Sequence, residues 1–412
     1  MNTKVRALLS LIAFSTTLVL AGCGHYKCGA TFGGGTCNST GTGGGGGGGG
    51  VNPPAQAFVY YVNQGSMSGK EVIIPNGATS LAAIPNFSNP VIPTAYTIAG
   101  EIIAQKKFVY VPFGSTQQLF AYSIDIAGNL APLAGSPFPA AYASGMANAG
   151  QPLISVITNP AGTVLYIADA ATSTIHVFSI NSTSGVPTEL QAFSTAGVVI
   201  PWNLAIDGLG RFLYVTEGNS FGEGQSQAVF NVAANGTLSG GTVLNLGAGV
   251  NMWEFQCDPT GNFAIGVTGE TGFAPDTLLD DHIYVFRIGS AGGLTLVGAP
   301  VVTANAPTAV RIHPSGKFVY DFSVNRTTAF DGPLEGFQMD TNGNLTKLSG
   351  SPFATLSIPY GGYFNQTGNY MVFHEHGTLG VYNIDTATGI PTENAPLVTG
   401  VGDLPFAVTD PQ

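Results

Sequence analysis

The sequence predicts an all-β fold, a seven-bladed β-propeller with four antiparallel strands in each blade. Two observations support this prediction: one strand recurs seven times, and a tight turn precedes most of its copies. The copies are FVYYVN at 58, FVYVPF at 108, VLYIAD at 164, FLYVTE at 212, FAIGVT at 263, FVYDFS at 318 and YMVFHE at 370. They lie 48 to 56 residues apart, which suits one four-stranded unit. All are rich in β-branched and aromatic residues, as expected for strands buried on both faces.

The turns before the recurring strand carry the residues of a type I turn, with Asp or Asn first, Pro often second and Gly fourth. The copies are NPAG at 159, DGLG at 207, DPTG at 258, HPSG at 313 and NQTG at 365. A short strand precedes each turn, and an alternating strand and a weaker fourth strand follow the recurring one. We therefore interpret Asp207, Asp258 and His313 as turn formers rather than reactive groups.

Residues 57–412 are predicted to form the propeller. The C-terminal segment LPFAVTDPQ at 404 has the pattern of a first strand with its turn, whereas the unit that begins with FVYYVN at 58 lacks a first strand of its own. An open sheet edge is unstable. We therefore expect the C-terminal strand to complete the first blade and close the ring.

Residues 1–22 have the features of a bacterial lipoprotein signal peptide. A short basic segment precedes an uncharged, mostly apolar run over 7–20, which is short for a membrane span. The run ends in LAGC, which resembles the lipobox of bacterial lipoproteins and implies cleavage before Cys23 and lipidation of its thiol. The resemblance implies a cell-envelope protein held to the membrane through the lipid alone. Gly24 is the residue after the lipidated cysteine. By analogy with the sorting of lipoproteins, a residue other than Asp at this position indicates the outer membrane of a Gram-negative bacterium.

Residues 23–56 are predicted to be a glycine-rich tether. They include an unbroken run of eight glycines at 43–50, a composition with no side chains to bury and a high backbone entropy. Cys28 and Cys37 lie within the tether. An oxidising compartment outside the cytoplasm favours a disulfide between them, and two free thiols are the alternative.

Composition argues against nucleic acid as a partner. Only 8% of the residues are charged and the net charge is −11, whereas nucleic-acid-binding domains carry basic patches. The sequence contains no nucleophile elbow, phosphate-binding glycine loop or CxxC pair. We therefore expect no cofactor.

Two histidines in FHEHG at 373, His374 and His376, fall on the same side of a predicted strand. Such a pair can bind zinc, but a zinc site needs a third ligand, for which Asp331 in the adjacent blade is the nearest suggestion. The alternative, which we favour, is a pair of exposed histidines at the rim of the ring without a metal.

The phrases FVYYVNQGS at 58, DPTGNF at 258, HPSGKFVY at 313, and GSPF at 135 and 350 carry a family resemblance. They resemble the seven-bladed lactonase-type propellers, a family that includes 6-phosphogluconolactonases. The resemblance covers residues 57–412 and implies the same fold. It also implies hydrolysis of a carbohydrate lactone as a candidate activity.

Lactonases of this family carry a Pro-Arg-His segment at the start of a first strand and a glutamate after the next strand. By this resemblance, Pro201, Trp202 and Asn203 occupy the Pro-Arg-His position. Glu217 lies one residue before the family's glutamate and is the candidate catalytic residue, although strand alternation turns it to another side and favours a structural or solvated role. A phosphorylated lactone needs cations, and the candidate cation at the rim is Arg326.

Trp202, Trp253 and Tyr360 share one position, the start of a first strand, in three blades. They can stack on a ring-shaped ligand, with Asn203 and Glu254 as polar contacts, or they can fill the gaps between splayed blades. The sequence thus predicts a ligand-binding or protein-interaction module whose partner is a sugar-like small molecule or a protein. The alternative is a carbohydrate lactone hydrolase with a remodelled active site.

Overall fold

The computed structural model describes most of the chain between residues 55 and 411. The described residues are 55–63, 66–74, 79–92, 103–105, 107–113, 118–139, 155–170, 172–217, 226–246, 250, 252, 254–268, 281–324, 332–353, 355, 359–375, 378–399 and 406–411. The compact unit that contains them is Asn52–Gln412. Cys23, Cys28 and Cys37 lie outside the described residues, so lipidation and the disulfide remain predictions. In the described part of the chain, no helix has the length and apolar character needed to cross a membrane.

The regular secondary structure of the described residues consists of β-strands joined by turns and loops. In chain order these are β1 (Ala57–Asn63), β2 (Ser66–Ile73), β3 (Ser80–Ala83), β4 (Ile103–Gln105), β5 (Phe108–Phe113), β6 (Gln118–Ile124), β7 (Leu130–Pro132), β8 (Phe138–Pro139), β9 (Val156–Thr158), β10 (Val164–Asp169), β11 (Thr174–Ile180), β12 (Pro187–Ser194), β13 (Pro201–Ile206), β14 (Phe212–Glu217), β15 (Gln227–Val232), β16 (Leu238–Leu244), β17 (Glu254–Cys257), β18 (Phe263–Val267), β19 (His282–Ile288), β20 (Leu294–Leu296), β21 (Val301–Val302), β22 (Ala306–Ile312), β23 (Phe318–Val324), β24 (Leu334–Met339), β25 (Leu345–Lys347), β26 (Pro359–Phe364), β27 (Tyr370–Glu375), β28 (Thr378–Ile384), β29 (Pro391–Thr399) and β30 (Phe406–Thr409).

The strands of the described residues form seven antiparallel sheets, which confirms the predicted seven-bladed propeller. From the innermost strand outwards, blades 1 to 7 are β30-β1-β2-β3, β4-β5-β6-β7, β9-β10-β11-β12, β13-β14-β15-β16, β17-β18-β19-β20, β22-β23-β24-β25 and β26-β27-β28-β29. The short strands β8 and β21 extend blades 2 and 5. The innermost strands contact one another in the cycle β4, β9, β13, β17, β22, β26, β30 and back to β4. The apolar core is divided into clusters that fill the gaps between neighbouring blades.

The C-terminal strand closes the ring as predicted. β30 pairs with β1 in the register Phe58 with Thr409 to Tyr61 with Phe406. The next residue, Asp410, extends the contact to blade 7 because its Oδ1 atom accepts a 2.6 Å hydrogen bond from the Asn365 side chain. The first blade is therefore assembled from both ends of the propeller sequence.

The turns between the first and second strands are held by their first residue, as the sequence predicts. In blade 5, Asp258 Oδ1 accepts hydrogen bonds from the backbone N–H groups of Asn262 (2.8 Å) and Phe263 (2.7 Å). His313 is buried, and its Nε2 atom donates to the carbonyl oxygen of Gly368 in the next blade, 3.0 Å away. Burial lowers the pKa of His313, so this side chain is a neutral structural group.

A repeated tyrosine latch joins neighbouring blades. The third residue of the recurring strand donates its hydroxyl hydrogen to a glycine carbonyl in the turn of the next blade. The described bonds are Tyr60 to Gly128 (2.8 Å), Tyr110 to Gly185 (2.7 Å), Tyr166 to Gly236 (2.9 Å), Tyr214 to Gly292 (2.9 Å) and Tyr320 to Gly389 (2.5 Å). Gly236 is required because its φ is 90° and a Cβ atom there would lie 2.5 Å from the Val164 side chain. Blades 5 and 7 have Ile265 and Val372 at the tyrosine position, so the gaps between blades 5 and 6 and between blades 7 and 1 lack this latch.

Candidate functional site

The candidate site lies at the end of the ring where the first strands begin and the second strands finish, which we call the mouth. In blade 4, Pro201 begins β13 and pairs directly with Glu217, the last residue of β14. Trp202 follows Pro201, so the candidate acid and one candidate aromatic residue lie at the same end of one blade. The capped turns, including Asp207, lie at the opposite end.

A β-bulge recurs at the mouth in blades 4, 6 and 7. The register shifts between Pro201 and Asn203, between Pro307 and Ala309, and between Pro359 and Gly361. The extra residues in the bulges are Trp202, Thr308 and Tyr360. A bulge redirects a side chain away from the regular pleat, and proline, which has no N–H group, is tolerated at the start of a strand or at a bulge. The shared position of Trp202 and Tyr360 was visible in the sequence, and the repeated proline is the signal that could have indicated the bulge.

Trp202 is half-buried at the mouth, so its indole is neither fully enclosed between blades nor fully exposed. Ile200, two residues before it in the sequence, is 41% exposed. Trp253 lies outside the described residues, as does the side chain of Tyr360. The structure therefore places Trp202 at the mouth and leaves the predicted roles of the other two rings as predictions.

Glu217 is bound within its own blade. Its Oε2 atom accepts a hydrogen bond from the Ser226 hydroxyl, and its backbone N–H group donates to the Ser226 carbonyl at 2.8 Å. The side chain is half-buried. These contacts fit a carboxylate that orders the end of β14, and they leave its predicted catalytic role a prediction.

Side-chain oxygens link successive first strands near the mouth. Ser155 Oγ accepts from the Leu204 N–H group at 3.2 Å, and Asn203 Oδ1 accepts from the Phe255 N–H group at 3.3 Å. In the next gap, Glu254 Oε2 accepts a hydrogen bond from the Val310 N–H group of blade 6 at 3.2 Å. Asn203 and Glu254 therefore have a structural contact each, whatever they bind in the mouth.

Glu254 forms a buried ion pair with Arg311 of blade 6. Arg311 Nη1 donates to Glu254 Oε1, and Nε donates to the Gly362 carbonyl of blade 7 at 2.6 Å. The guanidinium also lies 4.9 Å from the centre of the Tyr363 ring. Only 9% of Arg311 and 7% of Glu254 is exposed. One arginine thus joins three blades at the centre of the ring.

The cation predicted at the rim, Arg326, lies outside the described residues, and Arg311 was not predicted. Arg311 lies further along β22, where blade 4 has Ala205 and blade 7 has Tyr363. A charge in the middle of a predicted buried strand was the available signal. Among the described innermost strands, Arg311 is the only lysine or arginine, and its charge is neutralised by Glu254.

The comparisons with known proteins come from solved structures, since neither a protein-family model nor a curated protein matches the chain. A candidate 6-phosphogluconolactonase from Bacteroides fragilis is 18% identical, with a TM-score of 0.61 over 86% of this chain and 97% of that one. A second from Bacteroides uniformis is 15% identical, with a TM-score of 0.59 over 85% and 99%. The periplasmic gluconolactonase of Pseudomonas aeruginosa is 13% identical, with a TM-score of 0.57 over 85% and 99%.

The chain has the fold of the lactonase-like propellers. At these identities the likeness shows the fold alone. The resemblance stated from the sequence is therefore confirmed for the architecture. The roles of the predicted site residues therefore have to be argued from the geometry of this chain itself.

Only part of the predicted histidine pair lies within the residues that the structure describes. His374 lies in β27, opposite Gly361, whereas its side chain, His376 and Asp331 lie outside the described residues. In the part of the chain that the structure describes, no group of three or more His, Cys, Asp and Glu side chains could hold a metal ion. The zinc hypothesis thus has no described third ligand.

A buried carboxyl group that was not predicted from the sequence lies in the gap between blades 5 and 6. Asp321 is fully buried in β23, and its Oδ2 atom accepts a 2.5 Å hydrogen bond from Ser323. Its Oδ1 atom has no hydrogen-bond partner among the described residues. The directly opposite residue, Glu335, accepts from the Ala304 N–H group and from the Lys347 ammonium.

Burial is the main cause of a pKa for Asp321 well above its usual value. The Ser323 hydrogen bond and the Lys347 charge act in the opposite direction. The neighbouring carboxylates Glu335 and Glu254 raise the pKa further. Burial therefore favours the protonated form of Asp321, which lies next to two ion pairs.

We expect Asp321→Asn to stabilise the protein increasingly as the pH rises above about 4. In the unfolded chain Asp321 ionises near pH 4, whereas in the folded chain it stays protonated, so the unfolded state loses its proton first. Stability then falls by about 1.4 kcal/mol per pH unit until the raised folded pKa is reached. Asn carries no such proton. Thermal unfolding measured from pH 4 to 8 should show the difference between variant and wild type growing with pH.

The control for this experiment is Asp340→Asn. Asp340 is exposed, and hydrogen bonds from Asn344 and from neighbouring backbone groups lower its pKa. The stability that the Asp340 carboxylate contributes is present above about pH 4 and is lost as the pH falls below it. This pH dependence is opposite in sign to that of Asp321. A difference between Asp321→Asn and wild type that is constant with pH would contradict the neutral state of Asp321.

Proposed function

We propose that this chain is a lipid-anchored, cell-envelope propeller that binds a ring compound of low charge, such as a sugar, at its mouth. The observation that carries the proposal is the bulge at Trp202 in blade 4, which leaves this aromatic residue half-buried at the mouth. An aromatic face of this kind stacks on sugar rings and other flat ligands. The fold is shared with the lactonase-like structures, whereas the proposed binding role depends on the mouth residues of this chain.

The charge of the mouth supports a ligand of low charge. A phosphate group is normally held by several arginine or lysine donors. Among the described innermost strands, the one cation is Arg311, and Glu254 already neutralises it. The Asn203 amide adds a polar group that suits hydroxyl recognition.

The test is a thermal-shift titration of residues 52–412 with neutral monosaccharides and with gluconolactone. A ligand that binds the folded state raises the melting temperature by mass action. We expect Trp202→Ala to abolish the shift while its melting temperature without ligand stays near that of wild type. Trp202→Phe is the matched control and should keep part of the shift, because it retains an aromatic face. Equal shifts in wild type and Trp202→Ala would exclude Trp202 from the site.

The second candidate function is hydrolysis of a carbohydrate lactone. It is favoured by the fold shared with proteins named as gluconolactonases and by the position of Glu217 at the mouth. Gluconolactone turnover by the wild type that disappears in Glu217→Gln, with unchanged folding, would replace the binding function with this one. Background turnover in both proteins supports the binding module.

Lipid anchoring is the third part of the proposal and rests on LAGC at 20–23. We expect the protein extracted from membranes to begin at Cys23 and to carry additional acyl mass. Intact-mass spectrometry measures both properties. An unmodified chain, or one cleaved elsewhere, contradicts the anchor without affecting the ligand-binding experiment.

A further inference from the structure

Trp202 and Glu217 lie on the same face of blade 4. The bulge sets Pro201 and Trp202 together opposite Glu217. Two positions further into the blade, Leu204 pairs with Val215, and both belong to the core cluster between blades 3 and 4. Because side chains alternate along a strand, Trp202 and Glu217, each two positions away from this pair, are on the same face as it. The aromatic residue and the acid therefore border the same part of the mouth, next to blade 3.

Glu217 is close enough to Trp202 for one ligand to contact both side chains. Directly opposite residues of an antiparallel pair have Cβ atoms about 4.5–5.5 Å apart, a distance that one sugar ring spans. Ser226 donates to Oε2 of Glu217, and among the described residues no group is hydrogen-bonded to Oε1. Trp202 and Glu217 are both half-buried. A charged group bound between them is thus partly shielded from water, which strengthens its attraction to the carboxylate.

The charges of the described residues are distributed unevenly between the two ends of the ring. Carboxyl groups lie in or directly beside the mouth ends of β10, β14, β17 and β19, namely Asp169, Glu217, Glu254 and Asp281. Glu254 is already paired with Arg311. Four cations of the described residues lie at the opposite end of the ring, namely Lys107, Arg211, Arg287 and Lys317. Carboxylates around a cleft attract cationic ligands and repel anionic ones.

We propose that the ligand of the mouth is an amino sugar, a sugar ring that carries one unacetylated amine. The ring stacks on Trp202, and its ammonium group donates to Glu217. This inference rests on the proposed function, because it assigns a ligand class to the same site. A hydrogen bond between an ammonium and a carboxylate is stronger than one between neutral groups, and an ammonium near the face of an indole is attracted to the ring as well. Glu217 is then the residue that selects the ligand.

The experiment compares glucosamine, N-acetylglucosamine and glucose by isothermal titration calorimetry on the full-length protein. The three sugars share one kind of ring, and only glucosamine carries a charge. We expect glucosamine to bind with a Kd on the order of 1 mM, and the two neutral sugars at least about tenfold more weakly. Added salt should weaken glucosamine binding and leave glucose binding unchanged, because salt screens only the charged contact.

Two variants test whether Glu217 recognises the amine. In Glu217→Gln the side chain keeps its size and can still accept from Ser226, whereas the negative charge is lost. Glucosamine should then bind no more tightly than glucose. Glu393→Gln is the matched control, since Glu393 is half-buried in β29, the outermost strand of blade 7. This control should keep the preference for glucosamine at about tenfold or more.

The possible results separate this inference from the proposed function. Equal binding of glucosamine and glucose by the wild type overturns the inference and leaves the sugar-binding function in place. A preference for glucosamine that persists in Glu217→Gln overturns it as well, because another group then holds the amine. If none of the three sugars binds, both the inference and the proposed function are wrong. The first and the last of these results need only the wild type, so a folding defect in a variant does not affect them.

Discussion

Deletion of residues 403–412 is expected to remove most of the stability of the propeller and to cause aggregation. The deletion takes away β30, the innermost strand of blade 1. Phe406 and Val408 are buried in the gap between blades 7 and 1, and burial of each such side chain contributes roughly 1.5–3 kcal/mol. The backbone pairing with β1 and the Asp410 contact are lost with them.

These losses together approach the whole stability of a typical domain, about 5–15 kcal/mol. The deletion also exposes the edge of β1, which can then pair with another chain. Denaturant unfolding and light scattering measure the two effects. Deletion of residues 411–412 alone is the control, because it keeps β30 and Asp410, and it should behave as wild type. A long deletion that unfolds at the wild-type denaturant concentration would contradict the role of β30 in closing the ring.

Arg311→Met is expected to destabilise the propeller by about 3–5 kcal/mol, because it leaves Glu254 buried without a countercharge. The substitution also removes the hydrogen bond to Gly362 of blade 7. Methionine has a length similar to the aliphatic part of arginine, so the loss reports charge and hydrogen bonding more than volume. The measurement is the free energy of unfolding in denaturant.

The double variant Arg311→Met/Glu254→Gln separates the two causes. Gln is neutral and can still accept from the Val310 N–H group, so the double variant should recover a large part of the loss. Arg287→Met is the matched control: Arg287 is exposed and packs 4.8 Å from the Phe263 ring, and its removal should change stability by less than about 1 kcal/mol. If Arg311→Met and Arg287→Met have equal effects, the Glu254 pair does not hold the blades together.

The architecture was predictable because each blade repeats the same local chemistry. Turn residues such as Asp258, a buried recurring strand and the unmatched strand at Phe406 are all visible at fixed spacing in one chain. The ring then follows from the need to pair every inner strand. The same repetition located Trp202 at the mouth, since its position is shared with two other aromatic residues.

The contacts at the centre were not predictable, because they join residues of different blades. Arg311 meets Glu254 and Gly362 only through the rotation of one blade against the next, and no sequence spacing encodes this angle. In the sequence, Asp321 interrupts an apolar strand. Its raised pKa depends on burial against blade 5, which the sequence does not show. Polar residues within predicted buried strands are thus the positions where the repeat alone is insufficient.

Ring closure has a further consequence for how the propeller can be joined to other chains. Phe58 near the start of β1 and Thr409 at the end of β30 are direct partners, so the two ends of the fold are adjacent. Both lie on the face of the capped turns, opposite the mouth. A short linker between them should therefore permit circular permutation. A fusion partner attached directly beside Phe58 or Thr409 would lie on that face and leave the mouth unobstructed.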